Sequence, residues 1–172
     1  FGAEEINWGE GEEGALKAKM GLIVSILLIQ LIAIPGAYLI SKISKIKGNL
    51  FALKTSVILW ILLCFCAFFV HEPFEFYCVA GFVGLVMGGS QSISRSTYSK
   101  YIPHETNDTS SFFSFYDISE KLGIVIGMFS FGFIHQLTGN MRNSVLALIT
   151  FFTAGLILLY FVPQKEVEIS NE

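Results

Sequence analysis

Apolar residues in this chain run in long blocks rather than alternating with polar ones, and short polar intervals separate the blocks. Five blocks, at about 20–40, 51–70, 76–98, 111–137 and 143–162, approach or reach the ~20 residues a helix needs to cross ~30 Å of hydrocarbon. The intervals SKISKIKGN, HEPFE, KYIPHETND and TGNMRN carry the Gly, Pro and Asn of loops. The pattern predicts an all-α membrane protein with five transmembrane helices. Positions 1–19 read as an acidic external segment and positions 163–172 as a tail.

Composition agrees. Of 172 residues, 53% are apolar by type and 15% charged, and the mean hydropathy is +0.62. A soluble domain carries about 25% charged residues. Seventeen Phe spread over every block do not fit one small water-facing core. The net charge of −3 says little, because the charges are grouped. No stretch is densely basic, so nucleic acid is not an expected partner. The first residue is Phe1 and no charged segment precedes the first apolar block; we expect no signal peptide, and a piece of a longer protein. Cys64, Cys66 and Cys78 fit no zinc or redox spacing and read as small hydrophobes.

The basic residues set a direction. Lys42, Lys45 and Lys47 follow the first block and Lys54 lies just inside the second, while Arg95 and Lys100 end the third. The interval between the second and third blocks holds only His71, Glu72 and Glu75. By the positive-inside rule the lysine-bearing loops and the C-terminal tail are cytoplasmic, and HEPFE and the N-terminal segment are external. Lys17, Lys19 and Arg142 are exceptions on the outer side. The sequon Asn107-Asp108-Thr109 falls in a predicted cytoplasmic loop and reads instead as a helix start, capped by Thr109 or Asp108.

The fourth block contains FYDISEKLGIVIG, with Asp117, Glu120 and Lys121 close together. From Leu122 to Ile134 there are 13 residues, about 20 Å of helix and too short to cross. The span must recruit residues 112–116, which places the charges below the headgroups. At 100° per residue, Ser114, Asp117, Glu120 and Lys121 fall within about 120° of arc. A charge facing mid-bilayer lipid costs at least ~2.5–3.5 kcal/mol, so this face meets a partner helix or a watery path. Asp117 and Lys121 stand four apart and can neutralise each other. Glu120 then needs its own partner, for which Arg95 is the best candidate. A structural ion cluster and a role in substrate, proton or gating chemistry both remain open here.

The third block carries a stripe of Gly81, Gly84, Gly88, Gln91, Ser92 and Arg95 within about 100°. Gly84-x-x-x-Gly88 is a pattern for close helix packing, and Gly123-x-x-x-Gly127 repeats it beside the charged arc. Gln91 lines a pathway or belongs to packing. Gln30, near the Pro35-Gly36 break, lines a pathway or makes one interhelical hydrogen bond. HEPFEFYC lacks the paired ligands of a metal site, and His104 and His135 read as interfacial. No nucleophile–base pair, phosphate loop or zinc motif is visible, so neither an enzyme nor a cofactor is expected.

The runs GLVMGGSQSISRSTYSKYIP and SSFFSFYDISEKLGIVIGMFSFGFI resemble helices ten and eleven of a major facilitator superfamily transporter of the vacuole-effluxer-like branch. LLIQLIAIPGAYL, residues 27 to 39, resembles helix eight. The Q-x-x-S-R-S-x-x-S-x-x-x-P motif from Gln91 to Pro103 is moderately specific for that branch. The resemblance implies that FGAEEI is the tail of helix seven and that the five spans are most of a C-terminal six-helix bundle. It also implies a secondary transporter moving a small solute, with an amino acid as candidate substrate and a proton as candidate coupling ion. The expected partners are the lipid bilayer and an N-terminal six-helix half, in a bacterial inner membrane or a vacuole-like organelle membrane. Asp117 and Glu120 would carry coupling or gating charge, with Arg95 and Lys121 as counter-ions. One departure stands out: where the superfamily's loop between helices eight and nine usually has a gating aspartate, this chain has Lys45, with Ser41 where glycine is usual. A latch built on that aspartate loses its residue, and the cluster of Arg95, Asp117, Glu120 and Lys121 stands as candidate for the role. The alternative is a non-transporting membrane scaffold or sensor that keeps the fold and uses the charges for packing.

Overall fold

The computed structural model describes residues 1–103 and 108–163. His104, Asn107 of the sequon and the tail beyond Pro163 lie outside the described residues. Five helices follow one another: α1 (Gly11–Lys47), α2 (Asn49–Phe69), α3 (Pro73–Tyr101), α4 (Thr109–Thr138) and α5 (Met141–Phe161). Each is long and apolar enough to span a membrane.

The connections are short and their chemistry explains them. Gly48 alone separates α1 from α2; at φ 88° it takes a backbone conformation that a side chain would strain. Gly139 ends α4 in the left-handed conformation, and its N–H returns to the His135 carbonyl at 2.8 Å. The α3 start has Pro73 in its first turn and a reciprocal capping box between Glu72 and Glu75. Of the two residues expected to cap α4, Asp108 does so, accepting from the Ser111 N–H at 3.2 Å. The Ser111 hydroxyl and N–H together hold the Asp108 carboxyl below the usual range.

The first helix is longer than its apolar block. It begins at Gly11, because the Glu, Ala, Leu and Lys residues of GEEGALKAK are good helix formers and Glu12 and Glu13 fall in the positively polarised first turn. Glu13 also pairs with Lys17 at 2.7 Å, one turn on. Residues ahead of α1 make one turn, in which the Glu5 N–H donates to the Phe1 carbonyl at 2.9 Å.

Packing is densest between α1 and α3, which run parallel. A methyl carbon on Gly88 would stand 2.2 Å from the Ala33 carbonyl oxygen, one on Gly84 2.5 Å from that of Ile29, and one on Gly36 2.1 Å from that of Leu85. The two backbones touch, as the Gly84–Gly88 spacing leads one to expect. Below this seam Ile40, Ala52 and Ile93 form a small buried core joining α1, α2 and α3. Antiparallel to both, α2 meets α5 through the stacked rings of Trp60 and Phe152, 5.6 Å apart. The basic loops gather at one end of the bundle: Asn49 reaches Ser96 and Lys100, and Tyr101 donates to the Pro163 carbonyl at 2.6 Å.

The second glycine pair behaves differently. Among the described residues nothing approaches Gly123 or Gly127, and no residue of α4 is buried. The close contact expected there is not made by any described element, because α4 packs mainly on α5 and turns this face outward.

Replacing Gly88 with Ala forces the α1 and α3 backbones apart and is expected to cost about 1–3 kcal/mol, as for other overpacked sites. Gly155, with open space around it, accepts Ala with little effect. Thermal unfolding of the two variants in detergent checks the contrast.

Candidate functional site

The polar groups of α3 and α4 meet across a cleft between α2, α3, α4 and α5. Arg95, two turns beyond Gly88 on the same helix, points at α4 and donates from Nη2 to Asp117 Oδ1 at 2.9 Å. Its guanidinium also lies 5.7 Å from the Phe113 ring and 5.9 Å from the Tyr116 ring, where the negative ring faces favour a cation. Tyr116 donates to Ser94 at 2.9 Å and Tyr98 donates to the Phe112 carbonyl at 3.0 Å. Long polar side chains, rather than close backbone packing, therefore hold α4 beside α3.

Next to this pair opens a cleft of about 360 Å³, lined among others by Gln91, Arg95, Tyr116, Glu120, Trp60 and Phe152. Trp60 directs its indole N–H to the Ser90 hydroxyl at 3.4 Å. The cleft thus carries a cation, a carboxylate and an amide on one wall and stacked aromatic rings on the other. Such a surface can take a small molecule with both polar and apolar parts.

The structure sorts the expected residues. It brings Arg95, Asp117, Glu120 and Gln91 together. The ion pair, however, is Arg95 with Asp117; Glu120 lines the cleft without an ion pair among the described residues. Glu120 lies about 4.5 Å further along the helix, and the rings of Phe113 and Tyr116 keep the guanidinium at the level of Asp117. Asp117 in turn directs its carboxylate across to α3, so the pair with Lys121 on its own helix does not form. Lys121 stands exposed outside the cleft, and Gln30 lies on an exposed face of α1 that does not line it. Gly84 and Gly88 serve the α1–α3 seam.

Trp60, Tyr116, Ser94 and Phe152 were not singled out from sequence. An indole N–H within an apolar block needs an acceptor, and that requirement marks Trp60. Arg142 was noted only as a charge on the outer side. It is a hub: Nε donates to Glu5 Oε2 at 2.9 Å and Nη2 to the carbonyls of Val70 (2.7 Å) and Glu5 (3.1 Å), while Nη1 donates to the Phe68 carbonyl. The side chains of Arg142 and Glu5 are 11% and 19% exposed. This cluster ties the N-terminal turn to the ends of α2 and α5.

Five membrane-length helices packed through a glycine seam, with a charged cleft on one side, define a multi-pass membrane protein. The chain belongs to the vacuole effluxer Atg22-like family, whose pattern matches residues 3–169. It is 28% identical over 144 residues to an uncharacterised MFS-type transporter, YxiO, of Bacillus subtilis, covering 84% of this chain and 33% of that protein. It is 37% identical over 87 residues to autophagy-related protein 22 of Eremothecium gossypii, covering 51% of this chain and 17% of the relative. The Saccharomyces cerevisiae protein of the same name is 32% identical over 99 residues, 58% of this chain and 17% of its own length. The chain thus spans a third or less of the length of these relatives. No solved structure matches it.

The two arginines differ in what their loss should do. Arg142→Gln leaves a largely buried carboxylate and three carbonyls short of donors and is expected to cost about 3 kcal/mol. Arg95→Gln breaks a half-exposed pair and is expected to cost less than about 1 kcal/mol. Thermal denaturation of both variants checks the difference, and Arg142→Lys should not restore stability, since an ammonium cannot match the planar fork.

Proposed function

We propose that this chain is the C-terminal part of a secondary active transporter that moves a small solute, with an amino acid as candidate, by alternating access. The observation that carries this reading is the cleft in which Arg95, Gln91 and Glu120 face the aromatic pair Trp60 and Phe152. Family membership supports it, as does the placing of transporter substrates at the interface between repeated halves. The missing wall of the site then comes from an N-terminal six-helix half, and the outer faces of the helices meet lipid.

Within this reading Arg95 is the counter-ion of Asp117, and Glu120, free of an ion pair among the described residues, is the group most available to a substrate ammonium or a coupling proton. Lys121 would find its partner in the other half, and Gln30 would line the path there. Small displacements of α4 are inexpensive, because it is held through side chains that have exposed alternatives.

Transport by the full-length protein in proteoliposomes tests the assignment. Glu120→Gln is expected to abolish the dependence of uptake on an imposed pH gradient, and Asp117→Asn to slow uptake with the protein still folded. Unchanged uptake and pH dependence in both variants would confine these charges to structure and favour the scaffold reading.

A further inference from the structure

A second polar cleft, of about 220 Å³, lies away from the first, at the end of the bundle where the lysines gather. Its walls include Ser41, Ser44 and Lys45 from α1, Asn49 from α2, and Ser96 and Lys100 from α3. No carboxylate is among the described residues that line it. Both lysines carry charge that nothing in the cleft neutralises: among the described residues Lys45 makes no ion pair, and Lys100 only donates to Asn49 Oδ1 at 3.1 Å.

Among the remaining groups the hydroxyls of Ser41 and Ser96 are left to donate, whereas that of Ser44 is spent on Asn49. Asn49 Oδ1 is occupied by Lys100 and by the Ser44 hydroxyl, and Asn49 Nδ2 reaches Ser96 at 3.3 Å, so the amide is fixed and holds these side chains around the opening. Asn49 is also the first residue of α2, and Gly48 ahead of it supplies no side-chain cap. The first N–H groups of α2 add positive potential at this point. Gly89 on the cleft's floor lets α3 approach Ile40 closely, so the site is built on the α1–α3 seam and not on loops.

We propose that this cleft binds an oxyanion of the phosphate class, either the headgroup of an anionic lipid or a soluble phosphate. Two ammonium groups, several hydroxyls and a helix N-terminus make a recognition set for a multiply hydrogen-bonding anion. The opening lies at the membrane end that the positive-inside rule assigns to the cytoplasm, where anionic headgroups are presented to basic pockets between helices. A phosphate there joins the ends of α1, α2 and α3 at a place where the described lining residues supply only positive charge.

The full-length protein in nanodiscs separates the possibilities. One set contains phosphatidylcholine alone, a second contains phosphatidylcholine with phosphatidylglycerol, and a third contains phosphatidylcholine with added inorganic phosphate. Thermal midpoint and lipid retention by native mass spectrometry are the readouts. The expected result is stabilisation by phosphatidylglycerol or by inorganic phosphate, the responding arm identifying the source. Lys45→Ala with Lys100→Ala should weaken binding about thirty-fold, as expected for two ammonium groups near an anionic surface. Lys42→Ala with Lys47→Ala removes the same charge outside the cleft and should leave the response in place, and Lys45→Arg with Lys100→Arg should retain it. No response in either arm, or an equal loss in the two alanine pairs, would overturn the proposal. A response of the wild type that survives in the Lys45 and Lys100 alanine pair would overturn it as well. None of these outcomes depends on whether the first cleft transports a solute.

Discussion

The contact of the α1 and α3 backbones is the constraint on which the rest of the bundle depends. Between helices surrounded by hydrocarbon there is little hydrophobic gain from association, so close van der Waals contact has to supply it. Gly36, Gly84 and Gly88 allow that contact by leaving room for carbonyl groups where side chains would stand. Once α3 is seated against α1, its other faces are committed. One presents Gln91 and Arg95 to α4, and another presents Ser96 and Lys100 to the start of α2. Both polar clefts are consequences of one seam.

Helix α4 is the counterpart. None of its residues is buried, and large apolar side chains such as Phe115, Met128 and Phe129 remain exposed along it. Its link to α3 consists of an ion pair, two tyrosine hydroxyls and ring contacts, each of which water or another helix can replace. A helix held in this manner moves without breaking a core.

Much of this was legible in the sequence, and the failures have physical reasons. The five spans could be read because the thickness of hydrocarbon dictates their length. The Gly84–Gly88 seam could be read because small residues four apart on an apolar helix have few other uses. The partner of Arg95 could not, since a helical wheel gives the direction of Asp117 and Glu120 but not the reach of a guanidinium between two rings. The Gly-x-x-x-Gly spacing of Gly123 and Gly127 marks a packing face without showing which face α5 takes. Arg142 was hidden for another reason: rules of charge and orientation treat it as a signal to be counted, whereas its function is to fill the acceptors of Glu5, Phe68 and Val70. The start of α1 was missed because lipid-length patterns stop at the membrane, while helix propensity in GEEGALKAK does not.

The two arginine clusters sit at opposite ends and differ in how far the chain covers them. Arg142 and Glu5 are mostly shielded, whereas Arg95 and Asp117 are half open. Mobile ions shorten the reach of a charge to about 8 Å at physiological ionic strength, and they act on groups they can surround. The end stapled by shielded charge keeps its strength when salt rises, and salt weakens the other wherever water reaches it. Salt therefore acts unequally on the two ends of the bundle.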